Sequence, residues 1–204
     1  LLLALAGLLL TGCGSAPDDG AAGRHAEAAA QPAGPAALDR CPAGRPGSGQ
    51  PDAGQPGAGQ PGSGLELPEL TLPCLGAGDP VPLRQLAGTP AVLNLWASWC
   101  APCRAELPAF QQAYAAAGGR LRVLGVATED PPDRALALAA DAGLHFASVV
   151  DETGKLRRAL RRSALPVTVL VGADGRVAQV YAGPPLSYAD LRRLVRAELG
   201  VALP

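Results

Sequence analysis

Along most of the second part of the chain, apolar and polar positions fall into short blocks of two different periods. Residues 91–96 (Ala-Val-Leu-Asn-Leu-Trp) and 121–127 are apolar runs of strand length, suited to strands buried on both faces. Between them, residues 101–117 are rich in Ala, Leu and Gln and predict a helix, ended by Gly118-Gly119. Residues 133–142 predict a second helix that stops at Gly143, and residues 146–150 a third short strand. After a turn at Asp151-Glu152-Thr153-Gly154, residues 155–162 read as a short basic helix. Residues 167–171 and 176–181 predict a hairpin around Ala173-Asp174-Gly175. Residues 188–199 predict a closing helix with Leu191, Leu194, Val195 and Leu199 on one face. Ahead of these, residues 70–75 and 81–83 read as a small hairpin around Gly76-Ala77-Gly78-Asp79. Strand and helix alternate first, which implies parallel strands, and a hairpin with a helix follows. The expected fold class is α/β: a mixed central sheet covered by helices on both faces, with an N-terminal β-hairpin.

Before residue 65 the pattern is different. Residues 1–10 are almost wholly apolar and lead into Leu10-Thr11-Gly12-Cys13. Ten apolar residues are too few to span a bilayer but fit the apolar part of a signal peptide. There is no initial Met and no basic flank, so the start reads as truncated. Residues 14–64 carry few large apolar side chains and cannot bury enough surface to offset the cost of ordering. They include the repeat Gly49-Gln50-Pro51, Gly54-Gln55-Pro56, Gly59-Gln60-Pro61, whose period of five fits neither helix nor strand. Three regions are expected: 1–13 a signal segment, 14–64 a disordered linker, and 65–204 the folded domain. As a flexible coil the linker reaches about 40 Å root-mean-square. A Pro-rich protein-binding segment is the alternative reading.

Composition narrows the function. The net charge is −1 and aromatics make up 3% of residues, which argues against nucleic-acid binding by charge or base stacking. There are five cysteines: Cys13, Cys41, Cys74, Cys100 and Cys103. Leu10-Thr11-Gly12-Cys13 resembles the bacterial lipobox, which implies lipidation at Cys13 and attachment of an extracytoplasmic domain to a membrane. An ordinary secretory signal would also export the domain.

The chemistry concentrates where the first buried strand gives way to a helix. Trp99-Cys100-Ala101-Pro102-Cys103 puts one cysteine where free backbone N–H groups and the helix dipole favour negative charge. Thiolate is the reactive form of cysteine, and such settings lower its pKa to roughly 3.5–7.5. Cys100 is therefore the candidate nucleophile and Cys103 the resolving thiol. A structural zinc needs four ligands, and no second cysteine pair or histidine cluster stands nearby. A haem attachment motif needs a histidine where Arg104 stands. Neither a metal nor another cofactor is expected.

The string from Val92 to Pro108 resembles the TlpA/ResA type of membrane-anchored thiol–disulfide oxidoreductase, of the thioredoxin superfamily, which overlaps the redoxin and AhpC/TSA sequence families. The resemblance covers about residues 65–199 and implies a thioredoxin fold. It implies a reductant of exported protein disulfides, for example in cytochrome c maturation, with electrons from a membrane thiol donor. An oxidant role stays open. A glutamate three residues after the second cysteine belongs to that pattern, and Glu106 matches it. One helical turn places Glu106 beside Cys103, where it could move a proton, or it is a carboxylate merely favoured early in a helix. Pro166 matches the superfamily's cis-proline, implied to lie against the cysteine pair and bind substrate backbone. Trp99 is expected to flank the thiols and contact substrate, or to be a packing aromatic.

With Cys13 lipidated and Cys100 paired to Cys103, Cys41 and Cys74 remain. They are expected to form a second disulfide stapling the linker to the domain; otherwise one of them exchanges with the active site or another protein. His25 and His145 lack partners in the sequence. Two other functions fit parts of the pattern. A thiol peroxidase would need Pro-x-x-x-Thr-x-x-Cys, but Leu93 and Ala97 occupy those places. A non-catalytic metal carrier or adaptor would use Cys-x-x-x-Cys with a histidine, one residue longer than the spacing here.

Overall fold

The computed structural model describes residues 38–42 and 65–204. Cys13, the apolar stretch before it, His25 and the Gly-Gln-Pro repeat lie outside the described residues. The elements are β1 (Thr71–Leu72), β2 (Val81–Pro82), a 3₁₀ turn (Leu83–Leu86), β3 (Ala91–Trp96), α1 (Ala101–Ala117), β4 (Arg122–Thr128), α2 (Pro132–Asp141), β5 (Ser148–Asp151), α3 (Lys155–Ala159), β6 (Val167–Val171), β7 (Val177–Tyr181) and α4 (Tyr188–Leu199).

The central sheet has the order β5-β4-β3-β6-β7. β3 runs parallel to β4, and β4 to β5, while β6 is antiparallel to both β3 and β7. Two successive parallel crossovers in one direction put α1 and α2 on the same face. Every residue of β3 is buried, which explains why its apolar run does not alternate. Val92 and Trp96 pack with Phe110 of α1, Ala135 of α2 and Leu191 and Val195 of α4. Leu93 and Leu95 face the other layer, built from Leu72, Val81, Leu83 and Leu86 of the N-terminal segment and Leu156 of α3. Helices thus cover both faces, with the β1–β2 hairpin beside α3: the thioredoxin fold that the resemblance implies.

The ends of α1 and α4 follow from local chemistry. α1 stops where Gly118 adopts a left-handed conformation. α4 opens with a capping box, the Ser187 side chain accepting from the Asp190 N–H and the Asp190 carboxylate from the Ser187 N–H. Burial of Leu191 and Val195 stabilises the α4–α1 contact by roughly 1.5–3 kcal/mol for each side chain. α3 is shorter than its basic run predicts, because the chain leaves the helix in a left-handed turn at Arg161.

Short bridges cover both edges of the sheet. Cys74 pairs with Val149 beside β5, and Glu66 with Arg176 beside β7. Such cover keeps an edge from pairing with another chain. Residues 38–42 run along the domain. The Asp39 N–H donates to the His145 carbonyl at 2.7 Å, the Cys41 N–H donates to Ala77 O at 2.9 Å, and the Tyr114 hydroxyl donates to the Asp39 carboxylate. Cys41 is buried and joined to Cys74 by a disulfide. No described helix is long and apolar enough to cross a membrane.

Candidate active site

The exit from β3 needs fixing, because only four residues separate it from the start of α1. Asp130, buried just beyond β4, does this: its carboxylate accepts from the Ser98 N–H at 2.5 Å and from the Ser98 hydroxyl at 2.7 Å. The Cys100 N–H closes the turn onto the Ala97 carbonyl at 3.1 Å, and the Arg104 guanidinium donates to the Ser98 carbonyl at 3.2 Å. Cys100 is then the N-cap of α1, and its sulfur accepts from the Cys103 N–H at 3.2 Å. A hydrogen bond from a helix N-terminus is the interaction that favours a thiolate at that sulfur. Pro102 sits in the first turn, where a missing N–H costs little. Cys100 and Cys103 are joined by a disulfide, with Cys100 4% exposed and Cys103 fully buried.

Glu106 lies one turn further along α1, almost completely buried. Oε1 accepts from Asn94 Nδ2 at 2.7 Å, and Oε2 from the Leu186 N–H at 3.1 Å. Burial pushes its pKa up to about 7, although both hydrogen bonds favour the charged form. A buried carboxyl that exchanges its proton near neutral pH is suited to general acid–base work.

The Leu165–Pro166 peptide bond is cis, and Pro166 is buried. Val167, the next residue, pairs with Leu95, so Pro166 stands level with the end of β3, where the loop to Cys100 begins. Trp99 is 57% exposed beside the disulfide, and its Nε1 donates to the Glu129 carbonyl at 2.9 Å. The fold thus brings Trp99, Cys100, Cys103, Glu106 and Pro166 to one end of the sheet. Cys41 and Cys74 belong to the layer under the opposite face and the β5 edge. His145 is exposed, its N–H donating to the Gln111 side chain.

Asn94, Asp130 and Glu129 were not singled out by the sequence reading. Asn94 did leave a signal, as the one polar residue in an otherwise apolar strand. Asp130 and Glu129 follow β4 in an ordinary polar turn and left none.

Similar proteins fit this arrangement. Over 94 residues the chain is 37% identical to the "Thiol:disulfide interchange protein DsbE homolog" of Paracoccus denitrificans, covering 46% of this chain and 50% of that protein. It is 27% identical to the thiol-disulfide oxidoreductase ResA of Halalkalibacterium halodurans, covering 52% and 61%. The chain therefore spans between half and two thirds of the length of these curated relatives. Among solved structures, a secreted Mycobacterium tuberculosis disulfide oxidoreductase homologous to E. coli DsbE superposes with a TM-score of 0.57 at 29% identity, covering 63% of this chain and 96% of that one. Residues 63–180, from ahead of β1 to the last residues of β7, match the AhpC/TSA family model. That stretch is more than half of the chain and contains both cysteines, Glu106 and the cis-proline; the chain belongs to the AhpC/TSA family.

Proposed function

We propose that this chain is an extracytoplasmic thiol–disulfide oxidoreductase that exchanges disulfides with exported proteins through Cys100 and Cys103, acting as a reductant. The observation that carries the reading is the Cys100 sulfur capping α1 next to its disulfide partner, with cis-Pro166 at the end of the neighbouring strand. In the reduced protein the Cys100 thiolate attacks one sulfur of a substrate disulfide. A mixed disulfide forms and one substrate thiolate leaves. Cys103 then gives its proton to Glu106 and attacks the Cys100 sulfur as a thiolate, releasing the second substrate sulfur as a thiolate and closing the Cys100–Cys103 disulfide. Two electrons have passed to the substrate, and a membrane thiol donor restores the pair. Trp99 and Pro166 receive the substrate polypeptide, and no cofactor takes part. Lipid at Cys13 would tether the domain outside the membrane, and cytochrome c maturation is a fitting process for such a reductant.

The direction is tested by the midpoint potential of the pair. The full chain is titrated against a dithiol buffer, and Cys100→Ser, which retains Cys41–Cys74, gives the blank. A midpoint near or below about −230 mV fits a reductase, whereas one near about −120 mV makes the protein a disulfide donor. Absence of a two-electron transition that depends on Cys100 overturns the reading.

A further inference from the structure

Among the described residues, two that are not glycine take a positive φ: Glu129 at 52° and Arg161 at 54°. Such backbone is costly for residues with a Cβ and persists where the surroundings enforce it. Both lie next to the contacts of a single side chain, Arg157.

Glu129 follows β4. Its carbonyl accepts from Trp99 Nε1 at 2.9 Å, while its carboxylate reaches back to α3. There it meets Arg157 Nη2 at 2.7 Å and, more loosely, Arg158 Nη1 at 3.6 Å. The seat is shaped for it, since a methyl group at Gly154 would lie 2.6 Å from the Glu129 carboxylate. Arg157 has a second attachment, with Nη1 donating to the Arg162 carbonyl at 3.2 Å. The Arg162 N–H returns to the Arg157 carbonyl and the Arg161 N–H to the Arg158 carbonyl, the pattern of a Schellman turn with Arg161 in the left-handed position. The start of α3 is held as well, because the Asp151 carboxylate accepts from the N–H groups of Lys155 and Leu156. From Arg162 the chain runs three residues to the Leu165–Pro166 bond.

A single arginine, its side chain 14% exposed, therefore connects the residue that precedes the nucleophile to the segment that carries the proline. We propose that Arg157 is a positioning residue for substrate docking: through Glu129 it holds Trp99, and through Arg162 it holds the approach to Pro166, so that both flank Cys100 in one fixed arrangement. Arginine suits the task because its planar fork serves two acceptors at once, which a lysine ammonium does not reproduce. The inference rests on the reading of Cys100 and Cys103 as an exchanging pair.

The test uses Arg157→Lys and Glu129→Gln in the full chain, with thermal unfolding to verify that each variant folds. Trp99 reports its own freedom, since the chain has two tryptophans and Trp96 is buried. Iodide-quenchable emission therefore comes from Trp99, and its anisotropy should fall in both variants. The second-order rate constant for reduction of insulin disulfides should fall about tenfold, while exchange with dithiothreitol, too small to need docking, should fall less than about twofold. Unchanged Trp99 anisotropy in both variants overturns the positioning role. So does an equal loss, or no loss, with the two substrates. If the unaltered protein exchanges with neither, the reading of the cysteine pair fails and the docking role with it; the anisotropy alone still measures the mechanical link.

Discussion

The two disulfides are the same bond in opposite circumstances. Cys100 and Cys103 are three residues apart at the start of a helix, where a backbone N–H already points at one sulfur. Cys41 and Cys74 are thirty-three residues apart, and Cys41 is buried among Leu67, Leu72 and Val81. A cross-link restrains the unfolded chain more when it closes a longer loop, and a thiolate is favoured where N–H groups or cations face it. The first bond therefore adds less to stability than the second, while its opening leaves the Cys100 sulfur facing the Cys103 N–H at a helix start. The second does the reverse: it fastens residues 38–42 and the bridge beside β5, and its sulfurs face the carbonyl oxygens of Ser148 and Ala77 rather than N–H groups. Loop length and local electrostatics, rather than the cysteine count, assign the two roles.

The largest effect that would break this contrast is on exchange itself. Cys100→Ser should abolish reduction of insulin disulfides, yet on the loop-entropy model cost only about 1–2 kcal/mol of stability. Replacing Cys41 and Cys74 together by alanine should lower the unfolding free energy by roughly 3–4 kcal/mol on the same model, read by urea denaturation. The double variant should still exchange with dithiothreitol. If it loses exchange and the Cys100 variant retains it, the assignment of the two bonds is reversed.

How much of this was legible in the sequence depends on how local each device is. The Cys100–Cys103 spacing, the helix behind it and the place of Glu106 one turn on are all consequences of a few consecutive residues. The mixed sheet with helices on both faces also followed, because apolar runs alternating with helices imply parallel strands and the later hairpin adds antiparallel ones; the order β5-β4-β3-β6-β7 came only from the structure. The partners of Glu106 did not follow: the Leu186 N–H comes from eighty residues away, at the start of α4. Arg157 was hidden for a different reason. Five basic residues over residues 155–162 read as a solvated helix, and only the left-handed turns at Glu129 and Arg161 bring one of them inward. Cys41 likewise sits in a segment whose composition reads as solvated, and only the cysteine itself hinted that it would be fastened.

Glu106 sharpens the contrast from the side of the Cys100–Cys103 pair. Its pKa is near 4.5 in the unfolded chain and about 7 in the folded one, because burial disfavours its charge. Between those values the folded state keeps a proton that the unfolded state has released, so stability should fall as pH rises through the window. The expected loss is roughly 2–3 kcal/mol from pH 4.5 to pH 8, and it should vanish in Glu106→Gln. Denaturation at several pH values checks this, and the pH profile of insulin reduction in the same variant should lose its inflection near 7. A wild-type stability that is flat over the window would mean that Glu106 ionises as freely as in water, and its suitability for taking the Cys103 proton would go with it.

The smallest effect isolates one hydrogen bond of that carboxylate. The Leu186 N–H that Glu106 accepts immediately precedes Ser187, the cap of α4. Ser187→Ala removes a cap at a cost of about 1 kcal/mol and frees the chain around Leu186 to shift. The Leu186 bond favours the charged carboxylate, so its loosening should raise the Glu106 pKa further. The inflection in the pH profile of exchange should therefore move to higher pH, while the stability held by Cys41–Cys74 stays as it was. A shift to lower pH, or a change in the contribution of that distant disulfide, would mean that the two regions are coupled through α4.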